Sequence, residues 1–454
     1  MRKPAGVGRF VAICLACCLA FVGGPADAQR RLQFLRDAET EHIIRTMSRP
    51  IFEAAGVDPD AVQIVLVNDQ TLNAFVAGGQ NIFLHTGLLL QAEDPLQLLG
   101  VIAHETGHIA GGHLIRSREA IDGASAQALL SLLLGVGAAI ATGQAGAAMG
   151  GAIGGAEVAR RSLFSFSRGQ ENAADQAGLV YLEKAGISPR GMLTFLEFLA
   201  GEEGRIQNRQ QVEYTTTHPL TPDRIDAVRY ALERSRNADR QLPEAIVEQH
   251  RRMRAKLLAF VQPAQVARRF PESDRSIVAG YARAYAAYRR NDIPRALRLV
   301  EELIAAEPRN PFFHELKGQM LFENGRVTEA VGPYRDAVAL FADSALLQTA
   351  YAHALLESQI ADGLPAAVRA LETSLRFEPR SPETWRLLSI AYNRQGDTGR
   401  TAYATAEAAL SRGDTAAARV WSDRAMAQLP RGSPAWLRAQ DIRIAVGEPG
   451  TPRP

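Results

Sequence analysis

His104 and His108 stand four residues apart in His104-Glu105-Thr106-Gly107-His108, the interval that puts two imidazoles on one side of a helix where both can grip one metal ion. A buried histidine pair beside a chance glutamate is the plainer alternative. A catalytic zinc needs three protein ligands and an open position, so a further donor must come from elsewhere in the chain. Glu171 is the best candidate. It begins Glu171-Asn172-Ala173-Ala174-Asp175, whose spacing places both acids on one helical face. There Glu171 can bind the metal while Asp175 accepts the proton from the far nitrogen of a ligand histidine. His113 lies five residues beyond His108, a rotation that carries it off the ligand face of a continuing helix and argues against it as a third histidine ligand.

These residues need helices to present them. Asp94-Pro95-Leu96-Gln97 combines an N-cap acid, a proline at the first helical position and a glutamine at the third, and an apolar run leads from it into His104. The second helix is predicted from about Arg168 to Ala185, stopping at Gly186. Leu72 to Leu84 reads as two short strands joined by the Gly78-Gly79 turn. An edge strand there could hold an extended peptide by main-chain pairing, or the pair is a plain structural hairpin.

The His-Glu-x-x-His helix, the later Glu-x-x-x-Asp helix, the glycine-turn hairpin and the His218-Pro219 loop together resemble the CAAX-prenyl-protease and HtpX group of gluzincin zinc endopeptidases, over roughly Ala38 to Ser235. The resemblance implies one Zn2+ per chain held by His104, His108 and Glu171, with Glu105 activating water and Asp175 orienting a ligand. Elementary chemistry agrees: zinc acidifies water and polarises a peptide carbonyl, and an adjacent carboxylate takes the proton. Thr215 to Arg224 is expected to be a stiff, non-helical approach. Within it His218 and Arg224 could stabilise an oxyanion or bind substrate. Alternatively, His218 occupies the open zinc position and keeps the enzyme latent.

Arg2, Lys3 and Arg9 precede an apolar run from Phe10 to Val22 and then Ala26-Asp27-Ala28, the pattern of a secretory signal peptide over residues 1–28, and the resemblance implies the periplasm as the destination. At about thirteen residues the run is short for a membrane span. Cys14, Cys17 and Cys18 all lie in it, so the remaining chain has neither thiol nor disulfide. Losing Arg2, Lys3, Arg9 and Asp27 takes the formal charge from +2 to zero. No basic tract suggests nucleic acid.

Gly123 to Ala156 carries no charge and is long enough to cross a bilayer, yet it is broken by glycines and joins two helices that must meet at one metal. A re-entrant or surface-lying hairpin that touches lipid or covers the cleft fits better than a crossing. Further on, turns at Asn291-Asp292, Asn324-Gly325, Asp362-Gly363 and Gln395-Gly396 recur at about 34 residues, with Ala296, Ala330, Ala367 and Thr401 following them. This resembles tetratricopeptide repeats, whose helix pairs bury their apolar faces only by stacking and leave a groove for polypeptides.

The expected fold is mainly α (α+β): a zincin-like peptidase domain over residues 29–270 with a small sheet, an α-solenoid over 271–430 and a loosely ordered tail over 431–454. The resemblance implies an exported endopeptidase acting on misfolded or misassembled envelope proteins, outer-membrane proteins or their assembly machinery among its partners. Two rivals stay open: a repeat-based chaperone or adaptor with a latent metal site, and an integral membrane metalloprotease.

Overall fold

The computed structural model describes residues 33–113, 168–203, 214–358 and 360–447. Residues 1–28, expected to be a signal peptide, and the Gly123 to Ala156 segment lie outside them. No helix among the described residues is long and apolar enough to cross a membrane.

The first part of the chain builds a four-stranded sheet and the helices behind it. Strand β1 (Phe34–Leu35) leads into α1 (Ala38–Ala54), followed by β2 (Gln63–Val67), β3 (Ala74–Ala77) and β4 (Asn81–His85). The order is β1-β2-β4-β3, with β2 and β4 parallel and β3 antiparallel to β4, pairing Phe75 with Phe83. The glycine-turn hairpin is therefore present, and β3 is an edge strand. Helix α2 (Thr86–Gln91) leads to α3 (Pro95–Ala110), which carries His104 and His108 and is buried along most of its length. Its start has both halves of the expected capping box between Asp94 and Gln97.

Helix α4 (Arg168–Ala185) crosses α3 at glycines. A side chain on Gly107 would meet the backbone oxygen of Ala174 at 2.6 Å, and one on Gly178 would meet the Ala103 backbone at 3.1 Å. The bare helix surfaces let the two backbones touch, which presses the Glu171 and Asp175 face of α4 against the histidine face of α3. Helix α5 (Arg190–Glu203) packs on the same helix, and α6 (Tyr214–Thr217) and α7 (Pro222–Arg234) follow.

Tyr214 to Thr217 is thus a helical turn, where the sequence suggested an irregular approach. The prolines do not prevent it, because Pro219 lies beyond the turn and Pro222 occupies the first position of α7.

Helix α8 (Glu244–Val261) packs against α1, α2 and α3 on one side and against the repeat array on the other. After the short α9 (Val266–Arg269), the array consists of α10 (Ile277–Arg289), α11 (Ile293–Ala306), α12 (Pro311–Glu323), α13 (Val327–Leu340), α14 (Ala345–Glu357), α15 (Gly363–Phe377), α16 (Pro382–Arg394), α17 (Thr398–Ser411), α18 (Thr415–Gln428) and α19 (Pro434–Val446). The anticipated turns separate the helices within pairs. Ala296, Ala330 and Ala367 are fully buried where paired helices meet.

Helix α19 corrects the expected loose tail from residue 431. Pro434 sits at its first position, Ser433 caps it, and Gly432 and Gly447 fall outside its ends, so residues read as disruptive are boundary residues. Ala439 and Ile442 are buried against the preceding helices.

Candidate metal centre

Four side chains converge where α3, α4 and the segment just after α6 meet: His104, His108, Glu171 and His218, all buried. The Nε2 atoms of His104 and His108 are 3.0 Å apart. Glu171 places Oε2 3.4 Å from His104 Nε2 and Oε1 3.3 Å from His108 Nε2. His218 Nδ1 lies 3.3 Å from His104 Nε2 and 3.2 Å from Glu171 Oε1. In a tetrahedral site with bonds of about 2.0–2.1 Å, neighbouring donors stand about 3.4 Å apart. The measured separations are close to the edges of such a tetrahedron, so the donor set fits a small divalent cation with nitrogen and oxygen ligands.

Behind the donors lies a second layer of charge. Asp175 Oδ1 accepts from His104 Nδ1 at 2.8 Å, turning the opposite nitrogen toward the cluster. Asp175 is gripped by Arg224, whose Nε and Nη2 lie 2.6 and 3.0 Å from its two oxygens. Arg224 Nη1 donates to the Pro219 carbonyl at 2.8 Å and sits 2.9 Å from Glu171 Oε2. Arg224 is 2% exposed. Its guanidinium nitrogens are engaged by Asp175, Glu171 and the Pro219 carbonyl.

The electrostatics favour a positive charge between these acids. Burial opposes charging His104, but hydrogen bonding to Asp175 and Glu171 outweighs it and raises its pKa to about 10. Burial also works against Glu171, yet His218 and His104 hold its carboxyl well below the usual range. Asp175 is lowered in the same way, its burial overcome by His104 and Arg224. Burial pushes His108 well below the ordinary histidine value, so it stays a neutral donor. A proton on His104 or a divalent cation can supply the charge that this arrangement prefers.

Glu105 follows the first ligand on α3 and is fully buried, its pKa raised by burial. Neither of its oxygens has a hydrogen-bond partner among the described residues. The nearest basic atom is His218 Nε2 at 3.5 Å. A buried carboxyl group without hydrogen bonds is costly, and this one adjoins the donor cluster.

His218 is held from three sides. Its backbone N–H donates to the Tyr214 carbonyl at 2.7 Å, its ring stacks on Tyr214 at 4.5 Å, and its Nε2 contacts the Ala74 carbonyl of β3 at 3.2 Å. Tyr214 was not anticipated from the sequence. The available signal was its position four residues before His218, which on a helical turn puts the two rings together. His113 also contributes: its Nδ1 lies 2.9 Å from His108 Nδ1. The reversal of chain direction after Ala110 that brings it there escaped the reading of a continuous helix. The structure therefore brings His104, Glu105, His108, Glu171, Asp175, His218 and Arg224 into one site.

Comparison with known proteins agrees with this geometry. Residues 36–232 match the profile of peptidase family M48, and residues 281–345 match a tetratricopeptide-repeat profile. The beta-barrel assembly-enhancing protease of Yersinia pestis is 27% identical over 378 residues, covering 81% of this chain and 75% of that protein. The protein of that name from Escherichia coli (strain K12) is 28% identical over 340 residues, 72% of this chain and 66% of that one. Metalloprotease LoiP of the same organism is 32% identical over 160 residues, 35% of this chain and 58% of its own length. The chain carries a peptidase family M48 domain followed by tetratricopeptide repeats, and it is a metalloendopeptidase.

Proposed function

We propose that this protein is an exported, zinc-dependent endopeptidase that cleaves misassembled envelope proteins, with the repeat array docking substrates or partners. His104, His108 and Glu171 hold one zinc per chain. The observation that carries this reading is the set of donors at tetrahedral spacing beside the unpartnered Glu105 carboxylate. Zinc bound there would supply Lewis-acid polarisation of a peptide carbonyl and acidification of water. Glu105 takes a proton from the attacking water and passes it to the leaving amine. Asp175 orients His104, and Arg224 orients Asp175. The edge strand β3 aligns an extended substrate by main-chain pairing. The names of the relatives, beta-barrel assembly-enhancing proteases, support outer-membrane proteins or their assembly machinery as partners, and hence a periplasmic location.

The test is cleavage of an unfolded model protein by the purified chain from residue 29 onward, with metal content assayed. Glu105→Gln is expected to keep about one zinc per chain while losing about 10²–10⁴-fold in cleavage rate. A Glu105→Gln protein that cleaves normally, or a parent chain that binds no metal, overturns the assignment.

The geometry also supports a second element of this reading, that His218 is a latch. Its Nδ1 stands at the fourth corner of the donor set, where substrate or water must enter, and its Nε2 engages the Ala74 carbonyl on the strand that substrate would pair with. His218→Ala is expected to raise cleavage severalfold per folded molecule, with some loss of stability from the buried ring. A fall in cleavage assigns His218 to transition-state stabilisation, and no change removes it from the mechanism.

A further inference from the structure

We propose that His113 is a positioning residue that fixes the tautomer and ring orientation of His108. This rests on the reading of His108 as a metal donor.

Helix α3 ends at Ala110. Gly111 keeps a helical φ of −71°, Gly112 turns left-handed at φ +62°, and the chain doubles back so that His113 lies against the last turn it has just left. His113 is 4% exposed. The two rings meet edge to face, with centroids 5.0 Å apart and planes at 76°, and their Nδ1 atoms are 2.9 Å apart. The ring has space because residue 111 is glycine. A Cβ there would lie 2.6 Å from His113 Nε2.

Two imidazole nitrogens at hydrogen-bonding distance share one proton, so one donates and the other accepts. His108 Nε2 faces His104 Nε2 and Glu171 Oε1, and it can give its lone pair to a cation only when the proton resides on Nδ1. His108 Nδ1–H therefore donates to His113 Nδ1, and His113 keeps its own proton on Nε2.

The two ligand histidines are thus held by different kinds of acceptor. His104 donates to the Asp175 carboxylate, whereas His108 donates to a ring nitrogen of His113. A third ring suits this position electrostatically. Among the described residues, Glu105, Glu171 and Asp175 place three buried carboxyl groups here with the Arg224 guanidinium, and another carboxylate would add negative charge to the site.

The experiment measures zinc affinity of the full chain by chelator competition, together with the absorption spectrum of the cobalt(II)-loaded protein. His113→Phe keeps the ring and removes the acceptor. It is expected to weaken zinc binding about 10–100-fold and to shift the cobalt bands. His113→Asn places an amide oxygen near the former Nδ1 and is expected to restore affinity to within roughly threefold of the parent. A Phe variant that binds zinc like the parent, or an Asn variant as weak as the Phe variant, overturns the assignment. Should the Phe variant fail to fold, ¹⁵N-histidine spectra of the zinc-loaded parent decide. His113 protonated on Nε2 and His108 on Nδ1 is expected, and His113 protonated on Nδ1 overturns it. A parent chain that binds no zinc is a separate outcome, which overturns the proposed function and this inference with it.

Discussion

Two clusters of buried charge serve opposite ends in this molecule. At the junction between the peptidase domain and the repeats, Lys256 of α8 reaches Asp37 Oδ2 at 2.5 Å and Glu39 Oε2 at 3.2 Å, and Tyr281 of α10 donates to the same Glu39 oxygen at 2.5 Å. Asp37 also caps α1 through Thr40 N. Every charged group in this cluster is partnered, and three chain segments are tied at one point. In the donor cluster, by contrast, the Glu105 oxygens have no hydrogen-bond partner among the described residues, with His218 Nε2 3.5 Å away, and four donor atoms lie within 4.8 Å of one another. The difference teaches how to tell a lock from a working site. Hydrogen-bonded buried charge fixes geometry, whereas donor atoms gathered at metal-ligand spacing beside a carboxyl group that makes no hydrogen bond suit the handling of a ligand or substrate.

The largest effect that separates the two clusters is expected from Lys256→Met. It leaves the buried Glu39 and the half-buried Asp37 without their cation, and a cost of about 3–5 kcal/mol should appear in urea denaturation, while zinc affinity stays at the parent value. A loss of zinc affinity would mean that the two clusters are coupled. Asp175→Asn should do the reverse, weakening zinc binding about 10–100-fold in chelator competition and changing the stability of the metal-free chain less than Lys256→Met does.

The effect that is smallest near neutral pH, and grows only in acid, concerns His250. His250 on α8 is fully buried, and neither ring nitrogen has a hydrogen-bond partner among the described residues. No donor cluster among the described residues includes it. Burial, reinforced by Arg254 and Arg251, lowers its pKa to about 3. The folded state therefore keeps it neutral, and its contribution is present above the ordinary value of 6.5 and lost as pH falls from there toward 3. His250→Leu should remove a component of about 1.4 kcal/mol per pH unit from the acid side of the stability profile below 6.5. An unchanged profile would show that the ring already finds a partner.

Much of the centre was legible because its signals are local. The capping box before α3, the four-residue interval between the histidines and the Glu171 to Asp175 interval depend only on helix periodicity, and each is found in its helix. Arg224 was visible as part of the His-Pro segment, but its side-chain partners were not. A long side chain in the first turn of α7 can face solvent or core, and only the position of α4 turns it onto Asp175. Tyr214 and His113 escaped for the same reason: each acts through a reversal or turn whose direction is set by what it packs against. The tail was misread because proline and glycine mark helix boundaries as readily as they mark disorder.

The sequence by itself determined the donor types, the helices that carry them and the period of the repeats, because these follow from spacing along a regular backbone. The tertiary structure decided which nitrogen of each histidine faces the centre, that Arg224 stands behind the carboxylates, that His218 meets both the donor set and the edge strand, and where the repeats are fastened to the peptidase domain. Those outcomes depend on the close crossing of α3 and α4 at Gly107 and Gly178 and on the placement of the segment before α7. Residues 71 to 114 positions apart in the chain come within 3.5 Å there. Local periodicity carries no information about such encounters, since they are fixed by packing between elements and by the pairing of charges that packing removes from water.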